Sequence, residues 1–554
     1  MAIPTTSPRL LVLLVNGVIH TMDSARPRAS AVAVERASGR VVAVGDDAEI
    51  RALGGSLAET VDLRGNTVLP GFIDAHAHLL CLARARLEVD LGAARSEDAA
   101  AARVGQAASR AAPSAWIIGQ HWDKNRWTPS RFPSRASIDA AAPGHPVALW
   151  SYDGHSLWVS SEALRRAGVT RETPEPVGGS IQRDADGEPT GMLFEYGATS
   201  LVESAAGPPD EATDLAGLRT VLADVRARGI TGVHDIHTLE HDRSFRLMQR
   251  LRDSGELSPR ILFYVRKQRL PEVVTLGLQA GFGDDSLRFG GIKVFADGAL
   301  TSQTAALFDP YEGETANRGL LTTSADETEA LAIAAADGDI GVAIHAIGDR
   351  AVHAALDGIE GALAARAVAS ARDQPGHTRH PARYRIEHVQ LARPDDLARM
   401  ARLGVVASVQ PYHAMADRDK ADRYWGQRAR LAYAYRAMRD AGIHLALGSD
   451  VPVDTFDPLR ILHAAVTRRD DLAPDRAAWH PEQTLTVAEA IHAYTVGAAY
   501  AGGQEAHQGS ISPGKLADFV ILTEDPFTIP AERLPGMEIA ATIVGGAVVH
   551  GTLD

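Results

Sequence analysis

The stretch Leu69-Pro70-Gly71-Phe72-Ile73-Asp74-Ala75-His76-Ala77-His78 is an apolar run that leaves a Pro-Gly turn and ends in two histidines one residue apart. Successive side chains of a β-strand point to opposite faces, so His76 and His78 share one face and can converge on one metal ion. Neutral imidazole is the commonest protein ligand for zinc and related metals. Because an isolated His-x-His is more often a solvated strand end, the metal hypothesis requires further ligands from the remaining chain.

The centre of the chain contains further apolar segments that alternate with helical stretches, which favours a parallel sheet wrapped by helices. With the strand that ends at His76 they make eight predicted strands, the other seven being residues 229–236, 261–266, 291–295, 341–346, 384–389, 405–410 and 444–450. Eight β/α units predict a distorted TIM barrel, an α/β fold whose chemistry lies at the carboxyl ends of its strands.

Both ends of the chain are rich in short β-segments separated by turn signals. We therefore predict one composite β-sandwich built from residues 1–66 and 508–554, with the barrel formed by residues 67–507. Between the first and second barrel strands, residues 80–209 are too many for a simple loop and predict an insertion subdomain over the barrel mouth.

Composition excludes several classes of protein. The 554 residues are 45% hydrophobic and 23% charged, which suits a large globular protein with more than one core. The formal charge of -14 comes with no basic stripe, so we expect neither a nucleic-acid nor a membrane partner. The single cysteine, Cys81, fits a reducing cytoplasm, and the apolar run at residues 10–15 is too short for a membrane span. We expect a cytoplasmic protein.

Polar residues close four more of the apolar runs. These residues are Lys293, His345, His388 and Asp450, each at the end of its own predicted strand. A lone histidine in such a place is more often a satisfied core group than a ligand. Because strands one, four, five, six and eight all contribute such a residue, a shared site explains the pattern better than chance.

Longer phrases around these residues resemble the amidohydrolase superfamily over nearly the whole chain, in the branch that contains N-substituted formamide deformylase. The phrases are Asp153-Gly154-His155, Ile292-Lys293-Val294-Phe295-Ala296-Asp297-Gly298, His345-Ala346-Ile347-Gly348-Asp349, Arg385-Ile386-Glu387-His388 and Leu447-Gly448-Ser449-Asp450. The resemblance implies a metal-dependent hydrolase on a distorted TIM barrel with a small β-sandwich.

The resemblance also implies a ligand set for a binuclear centre. His76, His78 and Asp450 would hold one ion, and His345 and His388 the second. Lys293 would be carboxylated on its amine and bridge the two ions; a desolvated lysine shifts towards the neutral amine that can react with carbon dioxide.

The alternative for Lys293 is a buried ion pair with Asp297 or Asp349, which would make the site mononuclear. The expected cofactor is a divalent metal, zinc first, with two ions per chain. Manganese, iron and cobalt can use the same ligands.

The implied reaction is hydrolysis of a C–N bond in a small amide, formamide or related acyl substrate, one that is apolar or aromatic. Water activated by the metal would attack, and Asp450 would shuttle the proton to the leaving amine. Ester hydrolysis, deamination or decarboxylation on the same scaffold are alternatives, because a fold does not fix the substrate. A non-catalytic scaffold protein predicts substituted ligands, and none of the six is substituted.

Four residues are predicted to bind the small-molecule substrate. They are His155, Trp122, Tyr412 and His413. Five of the seven tryptophans fall inside or close to the insertion, where they either line a pocket or form the insertion's own core. Alternation turns Glu387 away from His388, so we assign Glu387 to structure. The oligomeric state is open, with a homodimer as one hypothesis.

Overall fold

The computed structural model describes residues 10–55, 58–237, 243–370 and 383–553. Residues 1–9, 56–57 and 554 of the predicted sandwich, and residues 238–242 and 371–382 of the predicted barrel domain, lie outside the described residues. The described chain forms a central barrel, a two-sheet sandwich at one side and an insertion with a sheet of its own.

The central barrel is an eight-stranded sheet in which each strand pairs in parallel with the next along the chain. Barrel strands 1 to 8 are Phe72–Ala77, Ile230–Ile236, Arg260–Arg266, Leu287–Phe295, Gly341–Ala346, Tyr384–His388, Val406–Val409 and Leu445–Leu447. Near the carboxyl ends, the N–H of Asp450 donates to the carbonyl of His76 (2.7 Å), which joins the chain after strand 8 to strand 1. The predicted barrel is confirmed.

Helices cover the outside of the barrel and follow its strands. They are Leu79–Ala85, Glu211–Ala227, Ser244–Asp253, Leu270–Leu276, Ala325–Asp337, Asp349–Ser370, Pro394–Leu403, Pro411–Trp425, Tyr435–Asp440, Pro458–Thr467, Val487–His492 and Ala498–Ala501. Barrel strands 2 and 5 are buried along their whole length, as expected for parallel strands covered on both faces. No helix in the described ranges combines the length and apolarity needed to cross a bilayer.

Barrel strand 8 is shorter than the predicted segment 444–450, because the chain must bend sharply after Leu447. A Cβ on Gly448 would lie 2.6 Å from the backbone nitrogen of His76, so only glycine fits there. The Asp74 carboxylate then accepts hydrogen bonds from the N–H groups of Ser449 (2.9 Å) and His76 (3.1 Å). Asp450 follows at φ +60°, a conformation that Asp tolerates better than most residues.

The sandwich contains strands from both ends of the chain, and it includes strand Thr67–Pro70, which the predicted division after residue 66 assigned to the barrel domain. One sheet has the order Arg40–Gly45, Ala31–Glu35, Leu11–Val15, Glu59–Asp62, and the other has the order Ala547–Gly551, Ile539–Val544, Phe519–Leu522, Thr67–Pro70, Val18–His20, Arg28–Ala29. Helix Asp47–Leu53 packs on the first sheet. Apolar residues of both sheets form one core, in which Val32 and Val34 lie with Phe519 and Ile521.

The insertion lies between barrel strands 1 and 2 and folds around a six-stranded sheet. The strands in spatial order are Ser180–Arg183, Pro189–Phe194, Ser156–Val159, Val147–Ser151, Ile117–Trp122 and Val89–Asp90. Its helices are Glu97–Ala108, Arg135–Ala141, Ser161–Ala167 and Glu195–Ala206. One face of this sheet builds the insertion's own core, and the other contributes to the wall of a large cavity.

Candidate metal centre

Each of the two histidines that end barrel strand 1 is held through Nδ1, so Nε2 is the ring nitrogen left to bind a metal. Nδ1 of His76 donates to Glu387 (2.5 Å), and Nδ1 of His78 donates to the carbonyl of Ile236 (2.6 Å). Nε2 of His76 is fully buried and has no hydrogen-bond partner among the residues that the structure describes. Burial lowers the pKa of His76 to about 4, with the nearby Lys293 ammonium acting in the same direction, so the ring is neutral and its lone pair is available.

Asp450 completes a group of three donors with these histidines. Its Oδ1 lies 2.9 Å from Nε2 of His78 and 3.5 Å from Nε2 of His76. Ligand atoms bound at about 2.0–2.2 Å to a tetrahedral zinc ion lie roughly 3.3 Å apart. The donor set and its spacing therefore fit a divalent cation, and a cation would give the buried Nε2 of His76 the partner that it lacks.

A second set of predicted ligands lies beside the first. The rings of His345 and His388 are 4.5 Å apart, and the ring of His388 is 5.1 Å from that of His76. Nε2 of His345 donates to the carbonyl of Gly298 (3.1 Å), which leaves Nδ1 as the free nitrogen. Burial lowers the pKa of both His345 and His388 well below the usual value, so both rings are neutral and can act as metal ligands.

Lys293 is buried among these ligands, and burial lowers the pKa of its amine to about 8. Within the described residues, no carboxylate lies within 4.0 Å of its Nζ. The two carboxylates of the ion-pair alternative have other partners: Asp297 accepts from backbone N–H groups, and Asp349 lies 3.4 Å from Arg393. Lys293 is thus a desolvated amine next to metal donors, while its carboxylation stays a prediction.

Glu387 faces His76 across the barrel. Strand alternation predicted instead that Glu387 points away from His388 and has only a structural role. His388 ends strand 6 at φ +74°, so the regular alternation stops at that residue and both side chains reach the interior. Glu387 also accepts a hydrogen bond from Arg385 (2.5 Å). A carboxylate on the far nitrogen of a ligating histidine fixes the orientation of the ring and raises its basicity.

We expect Glu387→Gln to weaken metal binding about 10- to 100-fold, because the amide keeps the contact with His76 but loses the negative charge. Competition with a fluorescent chelator measures this affinity. The matched control is Ser408→Ala, which removes another bond to Arg385 (2.8 Å) without touching His76. Equal metal affinity in Glu387→Gln and the unmodified protein would contradict this role.

His155 lies next to the predicted ligands and is paired with an acidic residue of the insertion. Its ring is 4.9 Å from that of His345, and its Nδ1 donates to Glu195 (2.8 Å). Burial by itself lowers the pKa of His155, but the charge and hydrogen bond of Glu195 outweigh burial and raise it to about 9. The ring nitrogen Nε2 is then an N–H donor available to a bound ligand.

The Asp153-Gly154-His155 phrase holds this histidine in place. The Asp153 carboxylate accepts hydrogen bonds from the N–H of His155 (3.1 Å) and from the N–H and hydroxyl of Ser302 (3.0 and 2.6 Å). These bonds tie the insertion to the loop after barrel strand 4. Glu195, which sequence reasoning missed, is at φ +59°, and no local sequence signal links it to a histidine forty positions earlier.

All six predicted ligands and His155 line one cavity of about 500 Å³. The remaining wall comes from the insertion sheet, from helix Leu79–Ala85 and from helix Glu195–Ala206. Aromatic and aliphatic residues form much of that wall, namely Trp116, Ile118, Trp150, Tyr152, Leu157, Tyr196 and Phe295. A mostly apolar cavity with a few convergent polar groups is typical of a small-molecule site.

The insertion's tryptophans divide between the cavity and the core. Trp116 and Trp150 line the cavity, whereas Trp122, Trp127 and Trp158 pack on one another in the insertion core. Strand parity would put Trp122 on the same face as Trp116. A β-bulge between Gly119 and Trp122, with His121 at φ +67°, shifts the register by one residue and turns Trp122 away from the cavity.

The other two predicted substrate residues lie beyond barrel strand 7. Nε2 of His413 lies 3.7 Å from Asp450 and 3.6 Å from Asp454, and His413 forms a second possible donor group with His388 and Asp450. The hydroxyl of Tyr412 lies 3.2 Å from Asp470, and Tyr412 is not among the residues that line the large cavity. The structure therefore places His413 beside the predicted ligands and Tyr412 farther out.

Comparisons with known proteins agree with this geometry. A model described as the amidohydrolase family matches residues 59–550. N-substituted formamide deformylase of Arthrobacter pascens is 30% identical over 97% of this chain and 98% of its own length. The Arabidopsis thaliana protein LONG AFTER FAR-RED 3 is 33% identical over 97% of this chain and 91% of its own. The structure of an uncharacterized metal-dependent hydrolase from Pyrococcus furiosus superposes with a TM-score of 0.71, at 26% identity, and covers 94% of this chain and 100% of that one.

Proposed function

The chain belongs to the amidohydrolase family and is a metal-dependent hydrolase, and on this premise we propose that it cleaves a carbon–nitrogen bond in a small amide, formamide or related acyl compound. The observation that carries the proposal is the convergence of neutral histidines, Asp450 and an unpaired buried lysine on one side of an apolar cavity. The full-length similarity to a formamide deformylase supports the same bond type.

A divalent metal held by these residues would supply a water of lowered pKa and would polarise the substrate carbonyl. Asp450 would take the proton from the attacking water and deliver it to the nitrogen of the leaving amine as the carbon–nitrogen bond breaks. The surrounding histidines hold the pKa of Asp450 well below its usual value although burial acts to raise it, so the carboxylate begins the reaction as a base.

His155 is placed to stabilise the charge that develops on the substrate oxygen. Glu195 orients its ring through Nδ1, which leaves Nε2–H as the donor that a substrate in the cavity could use. Preorganised donors at a developing oxyanion commonly contribute about 10²–10³ in rate.

Zinc is the metal that we propose, with two ions per chain and Lys293 carboxylated between them. His76, His78 and Asp450 would hold one ion, and His345 and His388 the other. The substrate is proposed to be a small molecule with an apolar or aromatic group, in keeping with Trp116 and Trp150 on the cavity wall. A cytoplasmic location, the absence of nucleic-acid and membrane partners, and a homodimer stay predictions.

The proposal is tested by product identification over a matched panel: an N-arylalkyl formamide, the corresponding acetamide, the corresponding ester and an aminopurine. We expect amine and carboxylate in equal amounts from the amides, loss of both after treatment with a strong chelator, and recovery on adding zinc. Ammonia from the aminopurine alone would instead indicate a deaminase. Carbon dioxide without amine would indicate a decarboxylase, and no product from any compound would overturn the proposal.

A further inference from the structure

One acidic side chain of the cavity wall, Glu88, has no role in the proposed hydrolysis. Glu88 follows helix Leu79–Ala85 and lines the same cavity as the predicted metal ligands. Building on the proposed amide hydrolysis, we propose that Glu88 is a specificity residue that receives a protonated amine at the far end of the substrate. The substrate class is then an amide whose apolar or aromatic portion carries a distal cationic amine.

The first support is that Glu88 lacks a protein partner. Its carboxylate makes no hydrogen bond or ion pair within 4.0 Å among the residues that the structure describes. Arg84 lies four positions earlier, a spacing that often pairs charges. The Arg84 guanidinium instead donates two hydrogen bonds to the buried carboxylate of Asp214 (2.9 and 2.8 Å). Arg86, which is nearer in sequence, pairs with Asp224 (2.6 Å). Both neighbouring arginines thus make their close contacts with other carboxylates, and Glu88 lines the cavity.

The second support is the environment of this carboxylate. Burial raises the pKa of Glu88 to about 7 although the charge of Arg84 acts to lower it, so Arg84 does not supply all of the charge needed to offset the lost hydration of the carboxylate. An ammonium group brought in by a ligand would supply that charge. A buried charge without a close partner is unfavourable in general, and a ligand cation bound beside Glu88 would relieve that cost.

The third support is the neighbouring wall, which suits an aryl or alkyl spacer that ends in a cation. Trp116, Ile118 and Trp150 come from the face of the insertion sheet that is turned to the cavity. Indole rings bind apolar groups and attract cations through their faces. A cavity of about 500 Å³ is large enough for an amide at the metal ligands and an amine at Glu88 in one molecule.

The test compares pairs of substrates that differ only in the distal amine, with the metal-loaded full-length protein. N-[4-(aminomethyl)benzyl]formamide is paired with N-(4-methylbenzyl)formamide, and N-(ω-aminoalkyl)formamides of increasing length are paired with N-alkylformamides. We expect kcat/KM to favour the best aminated compound at least about tenfold, equivalent to about 1.4 kcal/mol. Glu88→Gln should remove that preference and leave the rate with the neutral compounds unchanged.

Glu203→Gln is the matched control, because Glu203 lines the same cavity but already has an interaction partner. It should keep the preference for the aminated substrate. Equal rates within every pair for the unmodified protein, or a preference that survives Glu88→Gln, would overturn the assignment of Glu88.

A binding measurement separates this inference from the proposed function. Calorimetry compares 1,4-bis(aminomethyl)benzene, which carries a second amine, with 4-methylbenzylamine, which does not. Tighter binding of the diamine that is lost in Glu88→Gln would support the cation site even if no amide were cleaved, in which case only the proposed function fails. Cleavage of amides with no Glu88-dependent preference in rate or binding would refute the cation site alone.

Discussion

Asp450→Asn should reduce kcat/KM for amide hydrolysis by on the order of 10⁴ while the protein stays folded. The substitution removes the proposed base and weakens a metal donor at once, because Asp450 belongs to both possible donor groups. Asparagine tolerates the φ of +60° and keeps the backbone hydrogen bond to His76, so the turn after barrel strand 8 should persist. Rates measured with saturating metal check the loss of activity, and circular dichroism checks that the protein stays folded.

Asp454→Asn is the matched control for this experiment. Asp454 is also a buried carboxylate near His413 and accepts a hydrogen bond from the hydroxyl of Tyr152, but it lies outside both possible donor groups. We expect it to lose less than about tenfold in kcat/KM, since it touches neither His76 nor His78. Similar losses of kcat/KM in the two variants would show that Asp450 contributes only a buried charge to the structure, and that it is neither the base nor a metal ligand.

Lys293→Ala should lower the metal content from about two ions per chain to about one and reduce kcat by on the order of 10²–10³. The physical reason is that the buried amine, with a pKa lowered to about 8, is neutral in part of the molecules near neutral pH and can form a carbamate with carbon dioxide. The carbamate carbon comes from carbon dioxide, and the amine gives up a proton. Elemental analysis and steady-state rates measure the two effects.

Rescue by added acetate distinguishes a lost carboxylate from a damaged fold. In Lys293→Ala the space left by the side chain can admit acetate, which should restore part of the activity. Lys293→Met fills that space with an uncharged chain of similar length and should not respond to acetate. Two ions per chain in both variants, or equal responses to acetate, would rule out the bridging role.

Residues at regular strand ends could be predicted from the sequence, because their positions follow from local periodicity. His76 and His78 share a face by simple alternation, and Lys293 and His345 close apolar runs that the structure shows as barrel strands 4 and 5. The carboxyl ends of parallel strands meet at one end of a barrel, so these side chains had to approach one another.

Other features depend on irregular backbone and on distant partners, which no local pattern encodes. A bulge turned Trp122 into the insertion core, and the positive φ at His388 allowed Glu387 to reach His76. Glu195 and Glu88 reach the cavity only in the folded protein, where the insertion packs against the barrel mouth. Tertiary contacts over hundreds of residues decide such placements.

The number of metal ions per chain is the decisive measurement for a centre built from these six ligands. The protein would be purified without chelators from cells supplied with zinc and bicarbonate, and its metals counted by elemental analysis. Near two equivalents of divalent metal are predicted, held by the strand-end histidines, Asp450 and carboxylated Lys293. Reproducible absence of metal, in protein that is folded and retains all six predicted ligands, would rule out a metal centre at these residues.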